Sequence, residues 1–124
     1  MDLAELTQIT PEIEKEKRIK AEISKLKKFY KALPANKLFL AQRLIERAAF
    51  QRVTLEDLEK EINSEGVTEI YQNGKEQNGV KQSAAMQAYN TLYKNYAATL
   101  RDLAAMVPAE TSKSRLAEFM KENE

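Results

Sequence analysis

Any chemistry in this chain must be carried by carboxylates, lysines or tyrosines, because its 124 residues include no Cys and no His. That excludes disulfides, thiolate or imidazole zinc sites, and Cys or Ser-His nucleophilic systems. The densest carboxylate group is Glu56, Asp57, Glu59 and Glu61. No loop ligand or Gly-rich phosphate cradle accompanies it, so it reads as a solvated helix face, and the chain reads as a non-enzyme without catalytic residues, metal or cofactor. The lysines are more informative. Residues 10–31 hold eight basic side chains (Lys15, Lys17, Arg18, Lys20, Lys25, Lys27, Lys28 and Lys31) against four acidic ones. Point charges without interleaved aromatics suit a phosphate backbone and read few bases. Lys17, Arg18, Lys20, Lys25, Lys27, Lys28 and Lys31 are therefore the candidate DNA contacts, with an ordinary solvated charged face as the competing reading. The third group is a row of tyrosines, Tyr89, Tyr93 and Tyr96, whose rings offer apolar area while each hydroxyl needs a partner.

Helices must position these groups. Thr10-Pro11 is a start signal, Thr as N-cap and Pro at the first helical position, and predicts a helix from there to about Lys31. Its apolar residues Ile19, Ile23, Leu26, Tyr30 and Leu33 fall in steps of 4, 3, 4 and 3, one narrow stripe. Lys17, Lys20, Lys27 and Lys31 share one side beside it. Pro34 ends the helix, since the residue before a proline resists the α conformation. A second helix opens near Asn36, and Leu38, Phe39, Leu40, Ala41, Leu44, Ile45, Ala48, Ala49 and Phe50 occupy most of its circumference, which predicts an interior position. Thr54 and Asp57 resemble a capping box that starts a third helix with Leu55, Leu58 and Ile62 inward and Gly66 as its left-handed stop. A single continuous helix bent at Val53-Thr54 satisfies the same pattern.

Between Val67 and Ser83 the helical period vanishes. Val67-Thr68-Glu69-Ile70-Tyr71 has strand composition, and Asn73-Gly74 recurs as Asn78-Gly79, so residues 67–82 read as a small hairpin or an irregular loop with two tight turns. Ser83 caps the last long helix, which ends before Pro108. On it Met86, Tyr89, Tyr93, Tyr96, Leu100, Leu103 and Val107 alternate steps of 3 and 4, a heptad seam. The seam suits either an intramolecular core, favoured for Leu100, Leu103 and Val107, or a subunit interface, favoured for Tyr89, Tyr93 and Tyr96. Met86, Tyr89, Tyr93, Tyr96, Leu100 and Leu103 are the candidate oligomerisation residues. The segment 109–124 is polar apart from Leu116, Phe119 and Met120, which predicts a mobile tail that docks on a partner through those three residues.

The expected architecture is all-α, about four helices with an insertion at 67–82, in three regions: a helical 1–66 with the basic arm, a loop and assembly helix at 67–108, and a tail at 109–124. With no signal segment and no apolar run approaching a membrane span, a soluble cytoplasmic protein is expected. A helix-turn-helix at 36–64 would place Leu55–Ile62 in the major groove, four acids against one base, and is rejected as repulsive.

Several segments carry a resemblance. Ala48-Ala49-Phe50, Val53 through Leu58, Gly66, Tyr71-Gln72-Asn73-Gly74 with Gln77, Gly79, Lys81 and Ser83, Tyr89-Asn90 with Tyr93-Lys94-Asn95-Tyr96, and Leu103 with Val107-Pro108 together resemble the small terminase subunits of tailed bacteriophages and prophages, over roughly residues 12–108. The resemblance implies a DNA-packaging factor of the bacterial host cytoplasm. It would assemble as a homo-oligomeric ring, bind packaging-site double-stranded DNA, and recruit and regulate the large terminase subunit, which holds the ATPase and nuclease. It implies no small-molecule substrate. Many such proteins carry an N-terminal helix-turn-helix, and no basic reader helix is found here. An oligomeric adaptor contacting only protein, and a small phage transcriptional regulator, are the alternatives.

Overall fold

The computed structural model describes residues 3–72, 74, 78–107 and 120–121. Its elements follow the order α1 (Leu3–Tyr30), α2 (Ala35–Glu65), β1 (Thr68–Gln72), β2 (Asn78–Gln82) and α3 (Ala84–Ala104). Among the described residues three long helices stand where four were expected.

The difference arises at Thr54, which lies inside α2 instead of capping a new helix, so that of the two readings of this stretch the single continuous helix is the one formed. Nothing in Gln51-Arg52-Val53 breaks the helical backbone, and Asp57 is drawn away from a capping role by ion pairs to α1. The Thr54 Oγ1 is consequently buried without a hydrogen-bond partner. A second difference lies in α1, which starts at Leu3 and runs through Pro11. Leu3, Ala4, Glu5 and Leu6 are strong helix formers, and they carry the helix two turns upstream although Pro11 supplies no N–H to it.

Pro34 serves as the entry residue of α2, with φ −58° and ψ 154°. At the other end Gly66 holds φ 95° and ψ 169°, and its N–H reaches Ile62 O. The positive φ is as expected, but the extended ψ launches the chain directly into β1 rather than into a left-handed turn. Here a side chain would be strained. Strands β1 and β2 form an antiparallel pair, Thr68 opposite Gln82 and Ile70 opposite Val80. Of the two Asn-Gly signals the first lies in the connection, where Gly74 has φ 96°, whereas Asn78-Gly79 opens β2. Gly79 faces Tyr71 across the ladder, and a Cβ there would stand 2.7 Å from the tyrosine ring. Ser83 then caps α3, its Oγ accepting from Met86 N at 3.1 Å.

The core is where α2 meets both other helices. Leu26 and Tyr30 of α1, Ala41, Ile45 and Ala48 of α2, and Leu103 of α3 form one buried cluster. Ile23, Leu33, Leu44, Tyr96, Met106 and Val107 pack around it, as the α1 stripe and the end of the seam predicted. Burying side chains such as Ile45, Val53 and Leu103 contributes about 1.5–3 kcal/mol each. The alanines at 41, 48 and 49 let α1 and α3 approach the α2 backbone closely. One expectation fails: α2 is not enclosed on all sides. Phe39, Leu40 and Phe50 remain 62%, 57% and 50% exposed, because two flanking helices cover only about half of a helix circumference.

Candidate nucleic-acid interface and assembly surfaces

Arg18 and Lys15 project from α1 onto the acidic end of α2. Arg18 Nη1 donates to Asp57 Oδ1 at 2.6 Å, Lys15 Nζ lies 3.4 Å from Asp57 Oδ2, and Arg18 Nη2 lies 3.8 Å from Glu56 Oε1. Burial works to raise the Asp57 pKa, but the Arg18 hydrogen bond, the Arg18 charge and Lys15 outweigh it and hold the carboxyl below its ordinary value. The same hydrogen bond raises the Arg18 pKa. Arg18 is thus occupied as a strut between helices. The acidic cluster seen in the sequence is partly neutralised from within.

Beyond this clasp the basic row changes character. Lys17 sits 3.8 Å from Glu14 in an exposed i,i+3 pair. Lys20, Lys25, Lys27, Lys28 and Lys31 are all exposed, and none of them forms an ion pair with a carboxylate among the described residues. Lys27 and Lys28 occupy the last turn of α1, where positive charge also suits the helix dipole. Lys31 lies just past the helix end. The inward face of the same segment is packed on the core through Ile23, Leu26 and Tyr30, so the lysines lie on its outer side. Burial pushes the Tyr30 hydroxyl pKa up.

The seam of α3 runs along the margin of the intramolecular interface rather than on or off it. Leu103 is 1% exposed, and Tyr96 packs on the core, where burial raises its pKa against the opposing pull of Arg52. Tyr89 and Met86 are half-buried. Tyr93 is 56% and Leu100 37% exposed. Tyr89 and Tyr93 stack with ring centroids 6.2 Å apart. Two corrections follow. Leu100, expected in the core, lies outside it, while Thr99 is buried in its stead with its hydroxyl donating to Asn95 O at 3.0 Å. Tyr96, expected to face a partner chain, is committed largely to its own. The physical reason is that a straight α-helix of 3.6 residues per turn drifts against a seven-residue pattern, so the row cannot lie wholly on one contact.

Of the candidate tail residues, Met120 is exposed, and Leu116 and Phe119 lie outside the described residues. The sequence reading missed the outward face of α2, where Arg43 lies 5.3 Å from the Phe39 ring centre and Lys15 lies 5.2 Å from that of Phe50. The missed signal was available: Arg43 and Glu46 interrupt the apolar pattern on the side that Phe39 and Phe50 share. Among the described residues no helix is long and apolar enough to cross a membrane, and no group of acidic residues could hold a metal ion. No family model matches the chain, and neither a curated protein nor a solved structure matches it.

Proposed function

We propose that this chain is a non-enzymatic DNA-binding assembly factor of the small terminase kind, whose copies associate and bring many lysine rows onto one duplex. The observation that carries the reading is the exposure of Lys20, Lys25, Lys27, Lys28 and Lys31 along and just past the second half of α1, without carboxylate partners among the described residues. Supporting it, Asp57 and Glu56 are engaged by Arg18 and Lys15 and so oppose phosphate less than their sequence position suggests. One copy with five lysines binds a duplex weakly. Association multiplies such contacts into avidity when several rows reach the duplex together. The half-exposed tyrosine margin of α3 and the outward face of α2 offer apolar area for that association. The resemblance to small terminase subunits supplies the biological setting, including packaging-site DNA and a large ATPase-nuclease partner contacted through the segment bearing Leu116, Phe119 and Met120.

The test is a salt titration of duplex binding with the whole chain and with a Lys27→Glu, Lys28→Glu variant. Log affinity should fall linearly with log salt, and the variant should lose about 0.9 of slope for each phosphate contact removed. An unchanged slope in the variant, or no binding at low salt, would remove the DNA reading and leave an adaptor that contacts protein alone.

A further inference from the structure

The outward face of α2 is a palindrome in chemistry. Phe39, Arg43, Glu46 and Phe50 follow one another at intervals of 4, 3 and 4 residues, which sets them on a single stripe of the helix. The stripe points away from Ala41, Ile45 and Ala48, all at most 2% exposed against α1 and α3. Its two aromatic ends are at least half exposed, and Leu40 beside them is 57% exposed. Phe39 and Leu40 thus mark one end of the stripe and Phe50 the other, about 16 Å along the helix, with Lys15 of α1 at the Phe50 edge; exposed apolar side chains at both ends of one stripe mark an interaction surface.

From this pattern we propose that α2 pairs with α2 of a second copy in antiparallel fashion, about a two-fold axis passing between Leu44 and Ile45. Two-fold pairing of antiparallel helices matches residues equidistant from the axis. Phe39 then meets Phe50 of the other copy at both ends. Arg43 meets Glu46 of the other copy twice in the middle. The 3-and-4 spacing is that of a helix–helix seam, and antiparallel pairing of this stripe sets unlike residues opposite one another at every layer. Parallel pairing would instead set Arg43 against Arg43 and Glu46 against Glu46. The Arg47 stem can lie over Leu40 of the other copy, as long cationic side chains do at such rims.

Charge selects this occupant over nucleic acid. Arg43 and the aromatic rings would suit a single strand, but Glu46 stands in the middle of the stripe and repels phosphate. Opposite a second copy the same Glu46 finds an arginine. The contact is isologous, so it is distinct from association through the α3 seam and can coexist with it.

The experiment is a charge swap in the whole chain, read by sedimentation equilibrium up to about 100 μM, the concentration range of a weak pairing. Arg43→Glu and Glu46→Arg, each alone, place like charges across the axis twice and should raise the pairing Kd at least about tenfold. Combining them restores both opposite pairs and should return the Kd to within about threefold of the unaltered chain. Helical signal and thermal midpoint of each variant establish that the fold is intact. An orthogonal reading uses the absence of native cysteine: Phe39→Cys and Phe50→Cys chains, mixed and oxidised, should join as unlike pairs. A combined charge swap as weak as the single variants, like pairs as abundant as unlike ones, or a lone chain at the highest concentration would each overturn the proposal.

Discussion

Replacing Asp57 by Asn tests whether the clasp between α1 and α2 holds the basic helix in place. The geometry is favourable on both carboxylate oxygens, with Arg18 at 2.6 Å and Lys15 at 3.4 Å. A hydrogen bond to a charged group contributes about 1.5–3 kcal/mol when sheltered. The Arg18 and Asp57 side chains are 35% and 37% exposed, so solvent screening reduces this to about 1 kcal/mol. That corresponds to roughly 4 °C in thermal midpoint for a chain of this size. The assay is urea unfolding of the unaltered chain, Asp57→Asn, Arg18→Ala and the double variant, which yields the coupling between the two side chains. The sign with pH is fixed by the depressed carboxyl: folding favours the ionised form, so this contribution is present above the ordinary value of 3.8 and disappears as pH falls through the lower folded value. The difference between the unaltered chain and Asp57→Asn should therefore be full at neutral pH, shrink only in strong acid, and shrink also in high salt. Coupling indistinguishable from zero at pH 7, or a difference that survives protonation, would refute the account.

Two further outcomes concern the core. Leu103→Ala removes a side chain that is 1% exposed where all three helices meet, and should cost about 2–5 kcal/mol in urea unfolding. Thr54→Val removes a buried hydroxyl that has no partner while keeping nearly the same shape, and calorimetry should show a thermal midpoint unchanged or raised by an amount equivalent to about 1 kcal/mol.

Much of the fold was legible because period and punctuation agreed. The stripe Ile23, Leu26 and Tyr30 packs on the core as its spacing implied, Ser83 caps α3, and the 67–82 segment forms the hairpin its composition allowed. What misled was punctuation overridden by continuity. Thr10-Pro11 and Thr54 are good local start signals, yet each lies inside a helix whose neighbours on both sides favour helix, and no competing turn residue intervenes. The second Asn-Gly was absorbed into β2 because Gly79 offers room for the Tyr71 ring opposite. The candidate site was legible by residue type and not by the partners of each side chain. Spacing identified the basic row, but only the fold distinguishes Arg18, spent on Asp57, from Lys20 and Lys27, which are free of carboxylates among the described residues. In the same way the α2 circumference gave an apolar count without saying which side two neighbours would cover.

The unbroken run of α2 has a mechanical consequence. At about 1.5 Å per residue its 31 residues make a spar roughly 46 Å long. The Asp57 anchorage of α1 and the Leu103 seat of α3 are both fastened to that spar. Among the described residues neither companion helix has another continuous surface on which to rest, so a chain severed within the spar would forfeit the support for both. Strain applied at one extremity is borne along its whole length.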